Sequence, residues 1–231
     1  MGKETVSMLS DNPAVIQTIE LLKRRWLSEK AFEIKLTRPA SFEFKAGQTK
    51  LFIHESIERY YSLLSTPYDP NLALCVHYVQ KGLFSQVLAE AEIGTQFNVT
   101  GPHGYFTFKP CARQPVFVAT GTGIAPFVSM ARSEVIDFIL LHEVEFAEDL
   151  YYHNLFRKIS LNYVPCLLKP LVGDIQPQGA FHGNAADFMR EKLRPASYDF
   201  YLCGGREMTR EVTLLADDRF PGSYVFKEVF F

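Results

Sequence analysis

The sequence predicts two domains, an N-terminal antiparallel β-barrel followed by a C-terminal α/β domain with a doubly wound parallel sheet. Two textures in the chain predict this. From about residue 13 to 109 short strand-like runs dominate, whereas after Lys109-Pro110 strand runs alternate with helical stretches. The bulk composition agrees: 231 residues, 47% hydrophobic and 22% charged, suit a soluble globular chain of one large domain or two ordinary ones. The domain limits are read as 12–110 and 114–231, with the Pro110 to Pro115 segment as the boundary.

In the first half the strand runs are AVIQTIELL, AFEIKLT, TKLFIH, LALCVHYV and QFNVT, separated by turn residues such as PYDPN at 67–71. One helix interrupts them at LFSQVLAEAE, 83–92, with Ser85 as N-cap or first-turn residue and Val87, Leu88 and Ala91 as its apolar stripe. In the second half the strand runs are PVFVAT, VIDFILLH, YVPCLL and YDFYLC, and the helical stretches fall near 124–133, 146–159, 184–193 and 206–217. No internal repeat or low-complexity segment is present.

Several function classes are disfavoured. With 24 basic and 26 acidic residues the net charge is −2, and no long run of either sign marks a nucleic-acid or membrane-surface binder. The N-terminal MGKETVSMLSDNPAV lacks an apolar run of signal-peptide length, and no segment reaches the ~20 apolar residues that span a bilayer. Val6 breaks the myristoylation pattern that Met1-Gly2 would begin. Cys75, Cys111, Cys166 and Cys203 form no C-x-x-C pair, and the six histidines have no helical ligand spacing. The expectation is a cytoplasmic, reduced-thiol protein without a metal.

Five stretches carry candidate chemistry. VFVATGTGIAPFVSM, 116–130, runs a strand through Gly121, Thr122 and Gly123 into a helix that begins with Ile124 and Pro126. Such a turn points unpaired N–H groups and the positive end of the helix dipole outward, which suits a phosphate, and Pro126 sits where no backbone donor is needed. A Rossmann fingerprint would need glycine at position 126. Taken alone, the loop is equally the glycine turn of any doubly wound domain. ERYYSLLS, 58–65, is a strand carrying Arg59, Tyr60, Tyr61 and Ser62, with Arg59 and Tyr61 on one face and Ser62 on the other. Arginine neutralises phosphate and tyrosine covers a planar ring, although an ordinary strand would look the same. KGLFSQVL, 81–88, opens a helix on the turn Gly82, Leu83, Phe84 and Ser85; TGPHGYFTF, 100–108, is a rigid turn near the barrel's end. FYLCGGREM, 200–208, ends a buried strand at Cys203, Gly204 and Gly205, where a ligand can lie against bare backbone.

In their order, these stretches resemble the motif series of the ferredoxin–NADP⁺ reductase family over nearly the whole chain. R-x-Y-S appears at Arg59 to Ser62, G-x-x-S at Gly82 to Ser85, G-P-x-G-x-F at Gly101 to Phe106, G-T-G-I-A-P at Gly121 to Pro126, and C-G-x-x-x-M at Cys203 to Met208. FKAGQ, 44–48, resembles the strand before the flavin motif. The ending KEVFF resembles the acid-x-aromatic-aromatic tail of the family's bacterial branch, and a packed apolar tail is the alternative for it.

The resemblance implies a flavin-binding barrel and a nicotinamide-binding α/β domain, with FAD as the cofactor and hydride passing between nicotinamide C4 and flavin N5. It implies that Arg59 and the Gly82 to Ser85 turn, including Leu83 and Phe84, hold the flavin pyrophosphate. Tyr61, beside Tyr60, would stack on the isoalloxazine and Ser62 would lie near N5; His77 and Tyr78 are further flavin contacts or barrel-packing residues. Gly121, Thr122, Gly123, Ile124 and Pro126 would receive the dinucleotide pyrophosphate, and Cys203, Gly204 and Gly205 would lie beside the nicotinamide. Glu228 would be the acid near the flavin, and Phe230 and Phe231 would cover the flavin or its adenine. Ser62, Cys203 and Glu228 thus form the reacting centre, with Cys203 positioning rather than attacking.

The chain departs from NADP-selective members in its cations. Glu145 stands in LLHEVEFAEDLYY where Arg is frequent, VPCLLKP lacks a Ser-Arg pair, and FHGNA has Asn184 in place of Gly-Arg. Of NADH and NADPH the expectation leans to NADH, with Lys169 or Arg206 as the cations that would reverse it. The implied partner is a one-electron carrier such as ferredoxin or flavodoxin. Two alternatives remain open: a reductase component of a multicomponent oxygenase, and a non-autonomous flavin electron-transfer subunit.

Overall fold

The structure is a computed structural model, and it describes residues 15–133, 135–169 and 177–229. The first half builds strands β1 (Gln17–Ser28), β2 (Ala31–Thr37), β3 (Thr49–His54), β4 (Ile57–Ser62), β5 (Asn71–His77) and β6 (Gln96–His103), with helix α1 (Leu83–Glu90) between β5 and β6. The strands form one antiparallel sheet in the order β4-β3-β6-β1-β2-β5. The bridge Leu63↔Leu74 brings its two edges together and closes the barrel. Alternation places Phe32, Ile34 and Leu36 of β2 inside with Phe52, Phe97 and Val99, and α1 adds Phe84 and Leu88 to that core.

β1 runs well beyond the apolar AVIQTIELL run, because Lys23, Arg24 and Arg25 keep the ladder with β2 while their side chains turn outward. Arg24 also supports the neighbouring helix. Its guanidinium donates to the carbonyls of Leu88 (3.4 Å) and Ala91 (2.6 Å), satisfying the C-terminal end of α1. At the other end of α1 the N-cap is Gly82, and the Ser85 hydroxyl instead accepts from the Val79 N–H at 3.2 Å.

The second half contributes β7 (Gln114–Thr120), a 3₁₀ turn (Gly121–Ile124), α2 (Ala125–Arg132), β8 (Ile139–Val144) and α3 (His153–Ile159). It continues with β9 (Asn162–Leu167), β10 (Phe181–His182), α4 (Ala185–Glu191), β11 (Tyr198–Gly204), α5 (Arg206–Arg219) and β12 (Tyr224–Val229). The strands form one parallel sheet in the order β10-β9-β8-β7-β11-β12. Successive strands move outward from β7 toward β10 and then return to the other side of β7 at β11, so the topological switch point lies between β7 and β11. Phe117, Ala119, Tyr201 and Cys203 pack toward α2 and α3, whereas Val116, Val118, Phe200 and Leu202 pack toward α4 and α5. Burial on both faces explains why β7 and β11 read as continuous apolar runs.

Three elements differ from the sequence reading. The helix expected over 146–159 is a short 3₁₀ turn (Ala147–Asp149) followed by α3, because Tyr152 adopts a left-handed backbone (φ 59°) between them. The C-terminal stretch is strand β12, an edge strand whose half-exposed residues alternate too weakly to stand out as a strand. β10 has two residues, below the length at which a period shows.

The domains share an apolar cluster. Ala31, Leu64, Ala73, Cys75 and Phe106 from the barrel half pack in one body with Phe117, Phe127, Phe138, Phe156 and Tyr201. A polar knot borders it: the Asp149 carboxylate accepts from Ser28 Oγ (3.0 Å) and Tyr151 Oη (2.9 Å), Lys30 Nζ pairs with Glu145 (2.9 Å), and Tyr152 Oη donates to Glu33 (2.9 Å). Ser129 Oγ donates to the Ser65 carbonyl at 2.6 Å.

Candidate functional site between the barrel and the parallel sheet

The glycine turn after β7 sits at the switch point. Gly123 has no room for a side chain, since a Cβ there would lie 2.3 Å from the Cys203 carbonyl oxygen and 2.9 Å from Gly204 Cα. This contact presses the turn onto the end of β11. Thr120 Oγ1 ties the two loops again by accepting from the Gly205 N–H at 2.8 Å. Gly121 adopts φ +50° and nothing lies within 4 Å of the position its Cβ would take, so this residue faces open space. Ile124 and Pro126 are buried, with Pro126 in the first turn of α2, and no side chain caps the 3₁₀ turn. No side chain therefore accepts from the first N–H groups of the turn among the described residues, which leaves them for another acceptor.

Behind the turn lies His142 of β8, a residue that no motif in the sequence marks. Its Nε2 lies 3.2 Å from the Gly121 carbonyl oxygen and its Nδ1 3.3 Å from Tyr163 Oη. Burial pulls its pKa down to about 4. A histidine whose basicity falls on folding contributes stability above its unfolded pKa, near 6.5, and that contribution disappears as the pH falls toward the folded value. Acidification from pH 7 to 4 is expected to remove about 3 kcal/mol through this ring. Urea unfolding across that range should show the loss in wild type and a correspondingly smaller one in His142→Gln.

Cys203 and Glu228 are brought together by the register of β11 and β12, in which they are direct partners. The Cys203 thiol is fully buried and its pKa is pushed well up by burial and by Glu228, so it stays protonated. Burial also raises the Glu228 carboxyl. Across the domain boundary, Glu228 Oε2 lies 3.9 Å from where a Cβ on Gly104 would stand. Gly104 follows His103, and the pairs His103↔Thr49 and Thr49↔Ser62 continue the line to β4. Ser62, Thr49, Gly104, Glu228 and Cys203 thus form a continuous seam from barrel to parallel sheet.

On β4 the two faces separate as expected. Tyr60 and Ser62 share the seam side; Tyr60 is exposed and its ring meets His103 edge-on at 5.5 Å. Arg59 and Tyr61 share the other side, where α1 packs. Tyr61 is half-buried, 5.6 Å from Phe52 and 6.0 Å from Phe84 between ring centroids. Arg59 is exposed beyond it on the face from which α1 starts. Leu83 is exposed and Phe84 buried. Tyr78 packs edge-on against Trp26 at 5.3 Å, and His77 lies at the end of β5. Phe230 and Phe231 fall outside the described residues.

The Ser62 hydroxyl is buried with no hydrogen-bond partner among the described residues, and the Ser65 hydroxyl shares that condition. A buried, unpaired hydroxyl costs about 1–3 kcal/mol. Such a group at the mouth of a site fits a ligand with polar ring atoms.

Comparison with known proteins gives this geometry its context. Residues 19–108 match the oxidoreductase FAD-binding domain family and residues 117–213 the oxidoreductase NAD-binding domain family. The chain belongs to the ferredoxin–NADP⁺ reductase-like family. This reductase-like chain is 34% identical to ferredoxin–NADP reductase B of Sorangium cellulosum over 125 residues, covering 49% of this chain and 51% of that protein. It is 29% identical to the reductase component of propane 2-monooxygenase from Rhodococcus jostii over 212 residues, covering 83% and 57%. It spans about half the length of the curated relatives it matches. Among solved structures, a ferredoxin NADP⁺ reductase from Neisseria gonorrhoeae with bound FAD and NADP superposes with TM-score 0.81 at 24% identity, covering 94% of this chain and 99% of that one. The ferredoxin reductase of carbazole 1,9a-dioxygenase gives 0.80 at 21%, covering 95% and 70%. These structural likenesses establish the two-domain fold. Among the described residues of this reductase-like chain, no helix is long and apolar enough to cross a membrane.

Proposed function

We propose that this chain binds FAD against the barrel and a nicotinamide dinucleotide against the parallel sheet, and passes reducing equivalents between the dinucleotide and a one-electron carrier protein of the ferredoxin or flavodoxin type. The observation that carries the reading is the seam Ser62-Thr49-Gly104-Glu228-Cys203, which joins an unpaired hydroxyl of the FAD-binding domain to the strand end of the NAD-binding domain. The chemistry that FAD supplies when bound is acceptance of an electron pair and its release one electron at a time.

The residues divide the remaining work. Arg59 and the uncapped start of α1 hold phosphate charge, Tyr61, on the face of β4 it shares with Arg59, covers the ring, and Ser62 offers its hydroxyl to a polar ring edge. Gly121 to Gly123 take the dinucleotide pyrophosphate. Cys203, held as a neutral thiol, packs beside the nicotinamide, and the apolar cluster behind the seam excludes water. Glu228 is a reservoir for a proton at the seam, its carboxyl raised by burial.

NADH is the preferred dinucleotide in this reading. Past the glycine turn, the end of β8 carries Glu143, whose carboxyl is raised by burial and by Glu211, Glu207 and Asp187 nearby. Glu145 follows, paired to Lys30, and Arg190 is engaged by Asp187 and Glu211. A 2′-phosphate would enter a negative field there. Exposed Lys169 and Arg206 are the cations that would oppose this preference.

A second reading, service to an oxygenase, draws on the propane and methane monooxygenase relatives, whose matches extend over 83% and 67% of this chain. The test is stopped-flow bleaching of bound flavin by NADH and by NADPH over a concentration series. NADH is expected to reduce faster and at lower concentration. A clear NADPH preference would reverse the nucleotide assignment, and a visibly bound flavin that neither nucleotide bleaches would refute autonomous reductase function.

A further inference from the structure

The Gly121 carbonyl is held from behind by a buried side chain, His142, which is backed in turn by Tyr163. His142 Nε2 lies 3.2 Å from that oxygen, and Tyr163 Oη lies 3.3 Å from His142 Nδ1. A carbonyl oxygen only accepts, so Nε2 carries the ring hydrogen and the Nδ1 lone pair accepts from the tyrosine hydroxyl. A doubly protonated ring would instead donate Nδ1–H to the tyrosine oxygen, but burial disfavours its charge and keeps the ring neutral. The direction of every hydrogen in the relay is thereby fixed: Tyr163 O–H to His142 Nδ1, and His142 Nε2–H to Gly121 O.

This anchor sets the orientation of the next N–H. The peptide joining Gly121 to Thr122 is planar, and in a trans peptide the carbonyl and the N–H point in opposite directions. With the Gly121 oxygen drawn inward to His142, the Thr122 N–H is aimed outward on the side where Gly121 faces open space. Gly121 opens the 3₁₀ turn, whose backbone bonding restrains this peptide, and the His142 contact is the side-chain restraint added to it. We propose that the buried Tyr163-His142 relay is a positioning device that locks the Gly121-Thr122 peptide with its N–H facing the bound dinucleotide, making His142 and Tyr163 determinants of nucleotide affinity. The proposal rests on the reading that the Gly121 to Gly123 turn receives the dinucleotide pyrophosphate. The fully buried, weakly basic character of His142 supports a single neutral tautomer.

The test uses the flavin-loaded full chain, with NAD⁺ binding followed by calorimetry and the histidine ring observed by nitrogen-15 NMR. Wild type should show His142 as the neutral Nε2–H tautomer at pH 7. His142→Leu should weaken NAD⁺ binding about tenfold with the flavin spectrum unchanged, and His142→Gln, whose amide N–H can reach the same carbonyl, should recover most of that loss. Tyr163→Phe should loosen the tautomer preference and weaken binding less; it also decides the matter if His142→Leu fails to fold. Gly121→Val separates the two readings. If it abolishes NAD⁺ binding while His142→Leu and Tyr163→Phe bind as wild type, the relay is refuted and the pyrophosphate turn stands. If none of the three changes binding, the turn itself is misassigned and the relay falls with it. An Nδ1–H tautomer in wild type would also overturn the proposal.

Discussion

Gly123→Val is expected to lower NADH-dependent flavin reduction by about 10- to 100-fold at fixed nucleotide while FAD stays bound. The side chain would meet the carbonyl oxygen and carbonyl carbon of Cys203 at 2.3 and 2.7 Å, and these are backbone atoms that cannot rotate away. The glycine turn and the end of β11 must then separate, and with them the two loops that the Thr120–Gly205 hydrogen bond joins. The barrel contributes nothing to this contact, so flavin absorbance should persist. Absorbance of the purified variant together with NAD⁺ titration checks both halves. Wild-type NAD⁺ affinity in Gly123→Val would mean that the close approach has no part in nucleotide binding.

Ser62→Ala is expected to move stability and rate in opposite directions. In flavin-free protein the hydroxyl is buried without a partner among the described residues, so its removal should leave the melting temperature unchanged or higher. Under the proposed function the same hydroxyl would, in the loaded protein, offer a hydrogen bond to a ring edge on which charge develops, an interaction of about 1.5–3 kcal/mol, and its loss should slow reduction about 10- to 100-fold. Thermal melting of stripped protein and stopped-flow reduction of loaded protein form the pair of measurements. A lower melting temperature with an unchanged rate would make Ser62 a structural residue only.

The strands with strong patterns were legible in the sequence. AFEIKLT and TKLFIH coincide with β2 and β3, since alternation of core and solvent faces is a local property of the chain. The C-terminal half of β1 was not, because Lys23, Arg24 and Arg25 break the apolar run and their fit depends on α1 and β2, which sequence spacing does not place. β12 escaped for a related reason: its identity comes from pairing with β11, a contact more than twenty residues away. At the site, motif spacing pointed to the glycine turns and to Cys203, and the structure brings Cys203, Glu228, Gly104 and Ser62 into one seam. His142 and Ser65 left no such trace. His142 is one of six scattered histidines, and its meaning arises only when β8 lies beside the glycine turn; Ser65 stands out by a buried hydroxyl without a partner among the described residues.

The apolar cluster shared by the two halves bears on how such chains diversify. Two domain families divide the sequence near residue 110, which invites treating coenzyme choice as an exchangeable part. The cluster does not respect that division, since Ala31, Ala73, Cys75 and Phe106 are packed against Phe127, Phe156 and Tyr201. A nucleotide domain transplanted from a relative would arrive with knobs cut for another barrel's hollows. Under the proposed function, coenzyme preference is therefore more accessible through point changes on the solvent-facing rim than through shuffling whole domains, and a chimaera would have to carry its interfacial residues, the Lys30–Glu145 pair among them, as a matched set.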